Sequence, residues 1–517
     1  MDPDLIDRLR DDLDAAGYRS ASVSALLGAS ADTARQRGVF APARRALRER
    51  EDGPLARLIR LFLLGEALPA AELDAALPAL GTGGALELGL VEAAESAALR
   101  AALSLSPVEI ADARAPEPQH WWILSDLDDQ LRRGPARADH VMGVGGATRS
   151  LIAQAPPSDA PRCLDLGTGC GVVALHLASR GRVVATDISE RALVLARANA
   201  RLNGVEQRIE FRRGDLFAPV AGERFDLILS NPPFVITPRE AGATVYEYRD
   251  GGMTGDGLAE RVVREAPPLL AGGGELLCLA NWETPWGGSG LERVRSWIAG
   301  AASNGAAAAG PIDAWVIERD RVEPAQYAET WARDGGARPG SAAFEELMDA
   351  WLADFSARRT VAVGLGSIRL RRGGPARRDA GVIHVEHAAG GYGAEAPGRR
   401  LAAAFDAGIG AELMSDADVL ATRWLLDGAV REEREHRPGE EAPRVIVLTT
   451  DRPIARRVTA DPLLAAALGA CDGELTLGQI ADALATLLEV DAGAAEEALV
   501  SSARELAWCG MLTPSGG

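Results

Sequence analysis

The sequence predicts an α/β protein built around a doubly wound, mostly parallel sheet with helices on both faces, and three observations carry that prediction. From about residue 160 to 372, short β-rich apolar runs alternate with helix-patterned segments, as they do when a parallel sheet is covered on both sides. The first run ends in three alternating glycines, Gly167, Gly169 and Gly171, and then turns helical. The chain has 517 residues, too many for one core when a typical domain holds about 100–200, so further domains are expected on either side.

Residues 1–105 are expected to form a helical N-terminal domain, because Leu5, Leu9 and Leu13, then Leu55, Ile59 and Phe62-Leu63, recur at helical spacing. The stretch 106–150 is broken by Pro107, Pro116 and Pro118, and 120–125 reads as a strand entering a central domain placed at 106–372. Strands are expected at 162–166, 182–186, 209–212, 225–229, 274–279, 314–318 and 359–369. Helices are expected at 172–179 and 190–203, the second capped by Ser189 and ended by Gly204. The Gly/Pro-containing basic run 371–378 marks the next boundary. Residues 373–517 are expected to form an α+β C-terminal domain. It would hold a strand at 382–387, a solvated charged loop at 431–441, and helices at 463–468, 480–486 and 494–508 in a winged-helix-like ending.

Composition narrows the function. A net charge of −19 opposes non-specific attraction to nucleic-acid phosphates, and acidic residues outnumber arginines beyond the last boundary, which disfavours DNA binding there. All 55 Lys+Arg residues are arginine, so Schiff-base lysine chemistry is excluded. The cysteines, Cys163, Cys170, Cys278, Cys471 and Cys509, show neither metal-ligand spacing nor a paired framework, so no metal is expected and a reducing cytoplasm is. The N-terminus lacks a signal core and no apolar run reaches the roughly 20 residues that span a bilayer, so the protein is read as soluble, without a membrane partner.

The residues that carry chemistry sit at successive strand ends. In Cys163-Leu-Asp165-Leu-Gly167-Thr168-Gly169-Cys-Gly171, bare glycine backbone turns tightly and lets a ligand lie against it. Asp187, followed by Ile188, lies about 20 residues on, where a carboxylate accepts ribose hydroxyls; its alternative role is to cap the helix that begins near Ser189. Gly214-Asp215-Leu216-Phe217 offers a carboxylate to an adenine amino group between apolar neighbours, or is an ordinary turn. The fourth run stops in Asn231-Pro232-Pro233-Phe234, a rigid turn bearing an amide and an aromatic ring, or a purely structural turn. Ahead of the first strand, the glycine-rich segment from Asp139 to Thr148 suits a lid, with His140 and Thr148 as ligand contacts or loop packing. His384 and His387 read as a paired strand rather than a metal site, Trp121-Trp122 as packing, and Arg208, Arg212 and Arg213 as a solvated edge.

Taken in order, these elements resemble the Rossmann-like class I S-adenosylmethionine-dependent methyltransferases over residues 135–370, and Asn231–Phe234 resembles the Asn-Pro-Pro-aromatic motif of the amino-methyltransferases. The resemblance implies S-adenosylmethionine held by Asp165, Gly167, Thr168, Gly169, Gly171, Asp187, Ile188, Asp215, Leu216, Asn231 and Thr148. It also implies catalysis at Asn231, Pro232, Pro233 and Phe234. A target NH2 would donate to the Asn231 side-chain oxygen and the Pro232 carbonyl while Phe234 stacks on the planar group. The segment from Tyr246 to Leu258 resembles protein-glutamine N5-methyltransferases of the HemK type, which carry Asn-Pro-Pro-Tyr. The Phe form occurs in ribosomal RNA guanine-N2 and some adenine-N6 enzymes. A protein or peptide glutamine is the favoured acceptor. The alternatives are an RNA base, a small-molecule amine, and a non-catalytic S-adenosylmethionine-binding regulator, which has no need of an intact acceptor motif. The outer domains are expected to select the substrate.

Overall fold

The computed structural model describes residues 1–49, 53–114, 117–134, 137–239, 251–303, 310–374, 377, 379–393 and 396–515. At its centre is an eight-stranded sheet. In chain order the strands are β1 (Arg162–Leu166), β2 (Arg182–Asp187), β3 (Ile209–Arg213), β4 (Phe225–Ser230), β5 (Leu270–Pro285), β6 (Ile312–Val322), β7 (Thr360–Arg372) and β8 (Ile383–His387). Across the sheet they run β8-β6-β7-β5-β4-β1-β2-β3. β7 is antiparallel to both its neighbours, and the other described pairings are parallel. The helices that matter for the site are α1 (Gly146–Gln154), α2 (Val172–Leu177), α3 (Glu190–Leu202), α4 (Gly257–Glu265), α5 (Gly290–Ser303), α6 (Pro324–Asp334) and α7 (Ala342–Arg358).

Both faces of the sheet are dry, which is why its strands read as apolar runs instead of alternating with polar residues. On one face Cys163, Val183, Leu227 and Leu277 pack with Leu151 of α1, Val173 of α2 and Leu195 of α3. On the other, Leu164, Leu166 and Ile228 pack with Val262 of α4 and with Val294, Trp297 and Ile298 of α5. All seven strands expected in the central region form. β5 and β6 run well beyond their expected ends, because each also needs ladder partners along the long antiparallel β7. β8, expected in the C-terminal domain, is instead an edge strand of this sheet, with Ala314 to Glu318 against Ile383 to His387. Residues 375, 376 and 378 of the basic run, like Pro116, lie outside the described residues.

The N-terminal region is helical up to Glu87, with a two-residue strand at Leu68–Pro69, but its last part is not. Val91–Ala93 and Ala98–Ala101 form a small sheet with Leu68–Pro69, and Leu103–Ile110 pairs with Gln119–Asp126 as a hairpin. Leu9 and Leu13 are buried in a cluster that runs continuously through this hairpin into the face of the sheet carrying α2 and α3. Trp122 packs as expected: it is buried, its indole N–H donates to the Tyr18 carbonyl at 2.6 Å, and Arg19 lies 3.9 Å over its ring.

Two asparagines one turn apart on α3 and at its end join the hairpin to the sheet. Asn199 accepts the Leu124 N–H at 2.7 Å and donates to the Leu124 and Cys170 carbonyls, each at 2.8 Å. Asn203 does the same at Trp122, accepting at 2.9 Å and donating at 2.8 Å. Each amide therefore acts as a peptide unit from an adjacent strand, satisfying edge groups that would otherwise be buried and unpaired. The expected Ser189 cap of α3 is not made: the hydroxyl forms no capping bond, and Asp187 accepts the Ser189 N–H at 2.9 Å instead.

In the C-terminal region the helices Pro462–Gly469, Leu477–Leu488 and Ala492–Trp508 accompany a three-stranded sheet with Arg423–Leu426 at its centre. The charged run at 431–441 is only partly loop. Arg431–Glu435 is an exposed strand against Val445–Thr450, since main-chain pairing tolerates side chains that are all solvated. This region docks on β8, where His384 stacks on Trp508 with ring centroids 4.3 Å apart and Glu386 pairs with Arg456. No group of His, Cys, Asp or Glu suited to a metal ion occurs among the described residues, and no helix of theirs is long and apolar enough to cross a membrane.

Replacing Asn199 with Ala leaves buried backbone groups at Leu124 and Cys170 without partners. The expected loss is about 3 kcal/mol of unfolding free energy by urea denaturation. An exposed arginine-to-alanine change on Arg431–Glu435 is expected to stay within about 0.5 kcal/mol in the same assay.

Candidate active site

The strand order reverses between β1 and β4, and in an open α/β sheet ligands enter the crevice beyond the carboxyl ends of the strands at such a point. A cavity of about 490 Å³ opens there. Its wall brings together the turn after β1, the ends of β2 and β3, the Asn231–Phe234 turn after β4, and the glycine-rich segment leading into α1.

Gly167, Gly169 and Gly171 have φ of +78°, +53° and +87°, a left-handed backbone that other residues rarely adopt. A Cβ on Gly167 or Gly169 would meet nothing within 4 Å, so the cavity reaches bare backbone at both. A Cβ on Gly171 would come within 2.9 Å of Ala196, so this glycine serves the packing of α2 against α3. Asp187 ends β2 with one carboxylate oxygen accepting the Gly169 N–H at 2.9 Å, which fixes it beside the turn. Ile188 is 55% exposed on the wall, an apolar surface free to lie against a planar ligand. Leu216 has φ +44°, local strain of the kind that gathers at ligand sites.

The Asn231 amide is held from one end only. Its Nδ2 donates to Thr148 Oγ1 at 3.1 Å, while its Oδ1 is buried with no partner among the described residues. An unpaired buried carbonyl costs about 1–3 kcal/mol, so this oxygen is an acceptor waiting for a donor from the cavity. Pro232 and Pro233 fix the backbone immediately after it, and Phe234 packs against the cluster that holds Val235, Ile236 and Tyr327.

Not every expected contact faces the cavity. Asp165 lies beneath the turn, 1% exposed and off the cavity wall, accepting the Thr168 hydroxyl at 2.5 Å. Burial pushes its carboxyl up to about 7, opposed by the Thr168 bond. Thr148 is on the wall, with its hydroxyl oxygen accepting from Asn231 Nδ2. Asp215 is on the wall with its carboxylate paired to Arg261 at 2.7 Å. His140 lines the cavity and is largely buried, which lowers its pKa; beside it Asp126 accepts the Val141 N–H at 2.8 Å and pairs with Arg191. Tyr246 to Asp250 lie outside the described residues, while Gly251, Gly252 and Leu258 from the same expected segment line the cavity.

Trp331 and Asp334 on α6 also line the cavity, although neither belongs to a motif that marks them in the sequence. The available signal was the Tyr327/Trp331 pair at helical spacing inside a segment separating two strand patterns.

Residues 142–294 match the methyltransferase small domain family. Residues 15–102 match a domain of unknown function, DUF7059. A ribosomal protein uL3 glutamine methyltransferase from Bradyrhizobium diazoefficiens is 38% identical over 27% of this chain and 46% of its own. Release factor glutamine methyltransferases from Deinococcus radiodurans (36% identity, 32% of this chain, 54% of that one) and Chlorobaculum tepidum (40%, 23% and 45%) are also similar. The chain spans about half the length of the curated relatives it matches. The small-domain match covers every residue on the cavity wall except His140, Val141, Trp331 and Asp334.

The raised Asp165 gives a pH test. A carboxyl that stays protonated in the folded state up to about 7, from an ordinary value of 3.8, supplies stability that is complete below about 4 and lost as pH rises through 7. The urea midpoint is therefore expected to fall across that window, and Asp165→Asn, which keeps an acceptor for Thr168, to flatten the fall.

Proposed function

We propose that this chain is an S-adenosylmethionine-dependent N-methyltransferase acting on a side-chain amide nitrogen of a protein, with glutamine as the acceptor. One observation carries the reading: the buried, unpartnered Asn231 Oδ1 on the wall of a cavity that also exposes bare glycine backbone. The residues fit the cofactor. The Gly167 and Gly169 backbone would receive its amino-acid part, Asp187 its ribose hydroxyls, and Ile188, Leu216 and Asp215 its adenine. When bound, S-adenosylmethionine supplies an electrophilic methyl on a sulfonium.

The chain's own residues position the acceptor. The two N–H groups of an amide donate to Asn231 Oδ1 and the Pro232 carbonyl, and Phe234 supports the amide plane. Both acceptors are set by the fold before the acceptor arrives, so the gain comes from orientation and fixed dipoles, and no strong base is needed. No arginine lines the described wall, which suits a polypeptide and opposes an RNA backbone. The similar proteins named as glutamine methyltransferases support the same acceptor. Five free, buried cysteines suit a reducing cytoplasm. The regions 1–105 and 373–517, flanking a central 106–372, would select the substrate.

Asn231→Ala separates binding from chemistry. Calorimetry is expected to show S-adenosylmethionine affinity within about threefold of wild type, while tritiated-methyl transfer into protease-sensitive lysate material falls at least about 100-fold. Label that is nuclease-sensitive instead would replace the protein amide with an RNA base.

A further inference from the structure

Antiparallel strands β6 and β7 are adjacent in the sheet, yet residues 323–359 separate them where a short turn would suffice. That insertion is the α6–α7 pair. It has its own hydrophobic cluster of Tyr327, Ala328, Trp351 and Phe355, which also takes in Val235 and Ile236 just after the Asn231–Phe234 turn. The attachment is polar as well. The buried Tyr327 hydroxyl accepts the Ile236 N–H at 3.0 Å and the Asn281 amide at 2.8 Å, so α6 is pinned to the chain two residues beyond Phe234. At the far end Arg358 of α7 forks onto the buried Glu283 of β5 at 2.8 and 3.0 Å. One turn beyond Tyr327, Trp331 reaches the cavity wall, packed against the same cluster as Phe234. Asp334, the last residue of α6, also reaches it, although a carboxylate is disfavoured at a helix C-terminus.

We propose that the α6–α7 insertion selects, at the cavity wall itself, the polypeptide segment that carries the acceptor amide, beside any selection by the flanking regions. Trp331 supplies the second aromatic wall of the slot that Phe234 begins. Asp334 admits an amide carried on a neutral or basic polypeptide segment and repels an acidic or phosphate-bearing one. The proposal rests on the methyltransferase reading above and assigns its substrate side to residues outside the matched family segment.

The test uses the full chain, tritiated S-adenosylmethionine, and two synthetic peptides with one glutamine flanked by arginines or by glutamates. Wild type is expected to favour the arginine-flanked peptide by about tenfold in kcat/KM, and Asp334→Arg to abolish or invert that preference. Trp331→Leu is expected to raise the peptide KM about tenfold while Trp331→Phe restores it. Calorimetric S-adenosylmethionine affinity should hold in all three variants, showing that they fold. Unchanged preference and KM in the variants would overturn the proposal and leave the protein-amide reading standing. If neither peptide is methylated, the same variants are compared on protease-sensitive lysate label. Label reduced about tenfold by Trp331→Leu supports the proposal, and label at the wild-type level in both Trp331→Leu and Asp334→Arg overturns it. Label confined to nuclease-sensitive material, or absent, overturns both.

Discussion

A buried carbonyl oxygen without a donor is an expense that a folded chain normally avoids, and the arrangement around Asn231 Oδ1 shows how it is sustained. Its amide cannot turn to relieve it, because Nδ2 is engaged by Thr148 at the start of α1. The backbone cannot shift either: Pro232 and Pro233 hold φ on one side, while on the other Ser230 donates its hydroxyl to the Leu166 carbonyl of β1 at 2.9 Å. The unpaired acceptor is thus held at the head of β4 by neighbours on both sides of the strand-order reversal, where it is available to a ligand.

The rest of the fold keeps that point rigid. The turn after β1 is braced from below by Asp165 through Thr168 and from the side by Asp187 through Gly169. The asparagines of α3 carry this stiffness outward to the hairpin, and Asn199 reaches back to Cys170 within the turn itself. On the other flank the Tyr327 hydroxyl fixes the chain leaving Phe234. An orientation-based mechanism depends on such bracing, since a small displacement of the acceptors is costly in rate.

Much of this was legible from local pattern. Three glycines between a strand and a helix require left-handed backbone, and all three have it; apolar runs without alternation require a sheet covered on both faces, and the clusters lie on both. What escaped were contacts set by tertiary packing. Nothing in the spacing of Asp165 shows that it faces inward, because its neighbour Gly167 faces the cavity from the same short segment. β8 follows a Gly- and Arg-rich run that looks like a linker, yet its edge position depends on a free ladder on β6 that only the folded sheet provides. Trp331 and Asp334 lie about 100 residues from Asn231 in sequence and join it only because a helical insertion folds back over the sheet. The Asn-Pro-Pro-Phe turn stood out because few other roles require an amide, two prolines and an aromatic ring in succession.

The central claim is chemical: Asn231 and Pro232 present an amide nitrogen for methylation. Its most direct measurement is tandem mass spectrometry of lysate proteins incubated with the protein and S-adenosylmethionine carrying a deuterated methyl. The account predicts the heavy methyl on the side-chain nitrogen of glutamine. A heavy methyl found on a carboxylate or hydroxyl oxygen, or only on nucleobases, would contradict it.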